Sequence, residues 1–171
     1  DRLYDALEQW PQVAEVLRRE LTLSDLSPDD AVALRYRLGQ VLEHRLADPA
    51  GALAAYREII DVQADHADTV AALEGMFARD MLRAEVAATL DPLYRMSEDW
   101  EKLADLQSRT LDLIPDVGDR VLAMRGIAEI LEEKRGDAAG AFAWLGRAVK
   151  EAPLDDRSLS EVERLAATTG A

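Results

Sequence analysis

Shifted by 89 positions, residues 38–60 of this 171-residue chain fall on residues 127–149. Leu42, Glu43, Asp48, Ala50, Gly51, Ala52 and Ala54 then meet Leu131, Glu132, Asp137, Ala139, Gly140, Ala141 and Ala143. Conservative pairs fill the gaps: Leu38 with Ile127, Val41 with Ile130, Arg45 with Lys134, Leu53 with Phe142, Ile60 with Val149. A shift of 90 aligns an earlier block, laying Tyr4, Glu8, Trp10, Ala14, Arg19, Leu21 and Leu23 on Tyr94, Glu98, Trp100, Ala104, Arg109, Leu111 and Leu113. One residue is inserted or lost between the blocks. Self-similarity at a fixed period is the mark of a repeat architecture, and it excludes folds that cannot be built from two copies of one substructure.

The repeated substructure is helical. Apolar residues recur every three or four positions, as in Leu34, Leu38, Val41, Leu42 and again in Leu53, Tyr56, Ile59, Ile60. Ala (29) and Leu (25) supply the helix formers, against 22 Val, Ile and Thr together, and strand-like alternation is nowhere sustained. Pro11, Pro28, Pro49, Pro115 and Pro153 stand where stripes begin or end, often after Ser or Asp, as first-turn and stop residues do. Reading between these breaks predicts helices over 11–23, 29–46, 49–62, 66–80, 82–96, 98–113, 118–135, 137–151 and 155–168, with residues 1–9 as the tail of another. Pro92 falls inside a periodic stretch: either the 82–96 helix kinks there, or Asp91 caps a fresh helix. The connections are short, which makes consecutive helices antiparallel.

Two helices in about 34 residues is the tetratricopeptide period. The residues Leu38-Gly39, Leu42, Ala52, Tyr56 and Ile59 resemble a tetratricopeptide repeat. So do Ile127-Ala128, Leu131, Ala141, Leu145, Ala148 and Pro153, and more weakly Leu90, Tyr94, Ala104, Leu111 and Pro115. The small residues let paired helices approach, and the large ones interlock neighbouring hairpins. The resemblance implies an all-α fold, an α-α superhelix (solenoid) of about nine helices in a single domain over 1–171. Its hairpins are expected near 32–65, 84–117 and 121–154, with single helices near 66–80 and 155–168. Two departures stand out. Asp91 follows Leu90 where a small residue is usual, and five helices per copy is an odd number for a strict hairpin array. Because residue 1 falls mid-helix in the duplication, the chain is expected to be a slice of a longer array.

Chemistry is sparse. Cysteine is absent, and the two histidines, His44 and His66, stand in no HExxH or EF-hand pattern. No catalytic constellation, cofactor motif or metal site is expected. The net charge of −14 and the lack of a Lys/Arg-rich stretch argue against a nucleic-acid backbone as partner. No apolar run is long enough to span a bilayer and no signal-like segment opens the sequence, so a cytoplasmic location and no membrane insertion are expected. Trp10 and Trp100, at matching positions, read as packing residues or as anchors for a partner; Trp144 is unique to the second copy.

In tetratricopeptide proteins the first helix of each hairpin lines a concave groove that holds a segment of another protein. By position the resemblance places Tyr36, Gln40, Glu43 and His44 in the groove of the first hairpin, and Arg125, Glu129, Glu132 and Glu133 in that of the third. Some groups of the family clamp a terminal carboxylate with Lys and Asn; here Tyr36 and Gln40 stand in those places, so that specificity is not implied. The expected function is a non-catalytic protein–protein interaction module for a basic or amphipathic partner segment. The alternative is a structural spacer that self-associates through its terminal helices.

Overall fold

The computed structural model describes residues 9–23 and 25–169. The helix expected over residues 1–9 falls almost wholly outside them. Every regular element among the described residues is helical. Nine α-helices follow one another: α1 (Trp10–Glu20), α2 (Pro28–His44), α3 (Pro49–Ile60), α4 (Ala67–Ala78), α5 (Arg83–Met96), α6 (Trp100–Thr110), α7 (Val117–Glu129), α8 (Ala138–Glu151) and α9 (Asp156–Thr169). A 3-10 turn, Leu111–Leu113, extends α6, and a π-helical turn, Ile130–Lys134, extends α7.

Short polar side chains start these helices, because the first N–H groups of a helix have no partner inside it. Ser27 Oγ accepts the Asp30 N–H (3.1 Å), and Pro28 sits in the first turn, where a missing N–H is harmless. Asp48 and Asp137 accept the N–H of Gly51 (2.9 Å) and Gly140 (2.8 Å) in the two copies. Asp99, Asp116 and Asp155 do the same for Lys102, Asp119 and Ser158. His66 caps α4 through Nδ1, which accepts the Thr69 N–H at 3.2 Å, so this histidine is a helix-end residue. At Pro92 the helix does not restart: α5 runs unbroken past it. Asp91, the expected cap of the alternative fresh helix, instead accepts from Arg95 Nε (2.6 Å) and Gln107 Nε2 (2.8 Å).

The chain groups into two compact units that divide between Leu90 and Asp91, inside α5. The expected hairpin over 84–117 straddles this division. In the first unit α2 and α3 pack as an antiparallel hairpin, with α1 against α2 and α4 against α3. Its core holds Val13 and Leu17 of α1, Leu38, Val41 and Leu42 of α2, Tyr56 and Ile59 of α3, and Leu73 and Met76 of α4. Arg57 ties α3 to α5, donating to Thr89 Oγ1 (2.9 Å) and the Glu85 carbonyl (2.8 Å). In the second unit α7 and α8 form the hairpin, with α6 against α7 and α9 against α8. There the core is Leu103 and Leu106, Val121, Met124 and Ile127, Leu131, Leu145 and Leu165. Each such aliphatic side chain contributes roughly 1.5–3 kcal/mol by leaving water.

The duplication has a physical counterpart in each unit. The turn joining the hairpin passes through a left-handed residue, Ala47 (φ 50°) in one copy and Gly136 (φ 66°) in the other. The next N–H closes back on the helix, Asp48 to the Leu42 carbonyl and Asp137 to the Leu131 carbonyl, both at 2.8 Å. Only the second copy uses glycine there, the residue that reaches positive φ without steric cost. A cation lies over the matching indole in both: Arg45 over Trp10 at 4.6 Å, Lys134 over Trp100 at 5.3 Å. One local feature differs. The end of α7 widens to a π turn, whereas α2 stays α-helical to His44.

Candidate interaction clefts

The eight groove positions read from the sequence lie on α2 and on α7 with its π turn. Tyr36 and Gln40 are hydrogen-bonded to each other, and Arg125, Glu129, Glu132 and Glu133 line one pocket together with Arg157 and Arg164. One edge of the set carries Tyr36 and Glu43 on α2 and, 89 residues on, Arg125 on α7 and Glu132 in its π turn. All four are engaged within their own unit. Glu43 is 5% exposed. Its carboxylate accepts from Tyr56 Oη (2.8 Å) and is ion-paired with Arg79, the residue that follows the last turn of α4. Burial, with Glu43 accepting its proton, drives the Tyr56 hydroxyl far above its ordinary pKa, so Tyr56 is always a donor here. Tyr36 is half-buried, its ring 6.0 Å from Tyr56 and 5.7 Å from His66. Burial, followed by the nearby Asp68 carboxylate, raises its hydroxyl pKa as well. Arg125 donates to Asp155 (3.2 Å), and Arg164 of α9 grips both oxygens of Glu132 (2.7 and 2.6 Å). In both copies, then, the glutamate at this position is held by an arginine in or just after the helix that follows the hairpin. Glu43 therefore offers no carboxylate to a groove, and Glu132 already has its cation.

This pairing has a pH signature. Hydrogen bonding from Arg164 holds the Glu132 carboxyl below its ordinary pKa, against the opposing pull of burial. Hydrogen bonding from Ser158 likewise lowers Asp155. A carboxyl depressed by folding contributes stability above its unfolded value of about 4, and loses it as pH falls through the lower folded value. Urea midpoints taken between pH 5 and 3 should therefore fall more steeply for the native chain than for Glu132→Gln. Parallel slopes would show that the pair contributes nothing.

The other edge of the set carries Gln40 and His44 on α2, Glu129 at the end of α7 and Glu133 in its π turn. All four are exposed and each pair lines an open cleft. The cleft of the first unit, about 600 Å³, is lined by Trp10, Arg37, Gln40, Val41, His44 and Arg45. The cleft of the second unit, about 510 Å³, contains the counterpart of each: Trp100, Gly126, Glu129, Ile130, Glu133 and Lys134. Arg95, Gln107, Thr110, Ile114 and Ala123 extend it. The duplication thus reproduces a cavity as well as a core. Each cleft lies where an indole at the start of one helix meets the end of the next, and the cation over the indole fixes the ring.

The two cavities differ in chemistry at three matching positions. Where the first has Arg37, Gln40 and His44, the second has Gly126, Glu129 and Glu133. His44 Nδ1 lies 3.8 Å from a Glu43 oxygen. Among the described residues no group of three or more His, Asp or Glu side chains could hold a metal ion. No helix among them is long and apolar enough to cross a membrane. Trp10 and Trp100, read from the sequence as packing residues or as anchors for a partner, are both half-buried and each lines its unit's cleft. The sequence reading did not place Arg37, Arg45 or Lys134 in a site, although the pairing of Arg45 with Lys134 was visible in the duplication.

Compared with known proteins, the chain matches no family model, and no curated protein matches it in sequence.

Proposed function

We propose that this chain is a non-catalytic protein–protein interaction module, a tetratricopeptide-like array of antiparallel hairpins in a superhelix, whose clefts hold segments of partner proteins. The recurrence of a Trp-and-cation cleft at matching positions of the two units carries this reading. A cavity kept through duplication while its polar lining diverges is the pattern of one binding platform adapted to two ligands. Aromatic rings beside charged groups are the side chains that dominate binding energy at protein interfaces. The helical hairpins supply rigid walls for such a site.

Photo-cross-linking tests the reading directly. A benzophenone amino acid at Gln40 or Glu129 of the full chain, expressed in its own cells, should trap discrete polypeptide adducts. The same probe at Ala54 or Ala143, matching exposed positions on α3 and α8 outside the clefts, should not. Indistinguishable adduct patterns from all four positions would remove the clefts as interaction sites.

A further inference from the structure

We propose that the cleft between α6 and α7 is the receptor for a basic amphipathic segment of a partner protein. An apolar side chain of that segment sits over Gly126, and two Lys or Arg side chains one helical turn apart pair with Glu129 and Glu133. The proposal rests on the interaction-module reading and deepens it by fixing which cleft takes which chemistry.

Three independent features converge on this cleft. The first is Gly126. A glycine in the middle of a helix costs stability relative to alanine, and it is normally kept because something lies too close for a side chain. Here, as at Gly146 on α8, nothing lies within 4 Å of the position a Cβ would take, but only Gly126 lines the cleft. The space above it is the cleft itself. The matching residue of the first unit is Arg37, so there a long side chain lines the cleft where the second copy has none.

The second is charge. The cations at this cleft are already engaged: Arg95 with Asp91 at 2.6 Å, and Lys134 over the Trp100 ring. The carboxylates are not. Glu129 and Glu133 are exposed and, among the described residues, make no hydrogen bond or ion pair, whereas Glu132 between them is taken by Arg164. Away from the cleft they border a second pocket that Arg125, Arg157 and Arg164 also line. The Trp100 ring does not neutralise Lys134, so with Arg95 paired to Asp91 the cleft lining sets two carboxylates against one ammonium and is net negative. Glu129 ends α7 and Glu133 follows four residues on in the π turn, so the two carboxylates stand about one turn apart, as basic side chains one turn apart on a second helix do. A cationic segment gains complementarity there that an acidic one is denied.

The third is the π turn Ile130–Lys134, which forms the end of the cleft wall in this copy and is absent from α2. Such widened turns are unfavourable in isolation and concentrate at functional sites. Beside it, the cleft floor is apolar, with Ile114, Ala123 and Ile130. Exposed Leu122 stands one turn before Gly126 on α7.

A displayed library of random 16-residue peptides, selected on the full chain, tests the assignment. Enriched peptides should carry a large apolar residue flanked by Lys or Arg three or four positions apart. Gly126→Leu should weaken their binding at least tenfold by filling the cleft at no change in charge. Circular dichroism should show its helicity intact and its melting temperature no lower than that of the native chain. Glu129→Gln with Glu133→Gln should weaken binding to a similar degree and flatten its dependence on salt. Gln40→Ala with His44→Ala, in the other cleft, should change it less than twofold. Enriched peptides that are acidic, that bind Gly126→Leu as well as the native chain, or that respond to the Gln40 and His44 changes instead would overturn the assignment while leaving the module reading in place. Enrichment of no peptide at all would sink both.

Discussion

Gly39→Leu should destabilise the first unit by about 3 kcal/mol, the upper part of the range for forcing a side chain into a filled core. A Cβ at Gly39 would overlap Tyr56 Cε1 and stand 2.8 Å from its Cδ1, and Tyr56 is fully buried. The ring cannot swing away. Its hydroxyl is fixed on Glu43, and Ile59, one turn on along α3, is fully buried too. In a unit of this size each kcal/mol lowers the melting temperature by roughly 4–8 °C, so the change is large in a thermal scan. The same substitution at Gly126 is the internal control. It adds a better helix former where nothing obstructs it, so the second unit should keep or gain stability. If both variants melt alike, close contact with Tyr56 is not what keeps Gly39 a glycine.

Arg79→Ala should cost a comparable amount, about 3 kcal/mol, for a different reason. The Glu43 side chain is 1% exposed and Arg79 is its only cation among the described residues other than a histidine 3.8 Å away. Stranding a buried carboxylate costs about 3–5 kcal/mol. The low end applies because the Arg79 side chain is 48% exposed and part of its pairing is already screened by water. Removing the acid instead, as Glu43→Ala, leaves Arg79 free to rehydrate and strands only the Tyr56 hydroxyl, at about 1–3 kcal/mol. Urea unfolding of the two variants side by side should therefore rank Arg79→Ala as the more damaging. The reverse order would mean that the ion pair is dispensable and the tyrosine bond carries the site.

Much of this fold was legible in the sequence because its punctuation is chemical. Pro28 after Ser27, Pro49 after Asp48 and Asp137 before Gly140 are caps whose mechanism is local, and the helices begin where they say. Helix ends were less legible. The expected helix over 118–135 turns out to be α-helical only to Glu129, and that over 98–113 only to Thr110, before each changes its winding. Winding at an end depends on what packs against the last carbonyls, which no local pattern records.

The site was half legible. At about 100° per residue, positions 36, 40, 43 and 44 lie within one broad stripe of α2, and so do 125, 129, 132 and 133 of the expected helix over 118–135. Helical periodicity therefore reads each set as a single surface. What divides them is tertiary. Arg79 just after α4 and Arg164 of α9 claim one edge of each stripe, and Trp10 and Trp100 border the other. The partners of Glu43 stand 13 and 36 residues away, so on a chain with 34 acidic residues nothing marked it as a core residue. Gly126 carried a signal that periodicity ignores, a costly residue in mid-helix with no turn to explain it.

The stacks of Arg45 on Trp10, Lys134 on Trp100 and Arg147 on Trp144 give the molecule an optical readout of its own. The chain has three tryptophans, each with a cation above its face, and only one of them belongs to the first half. Indole emission responds to the field of a nearby charge. Ultraviolet excitation of a Trp100- and Trp144-free variant would thus watch the first half alone, with no dye attached, as it melts or meets a ligand.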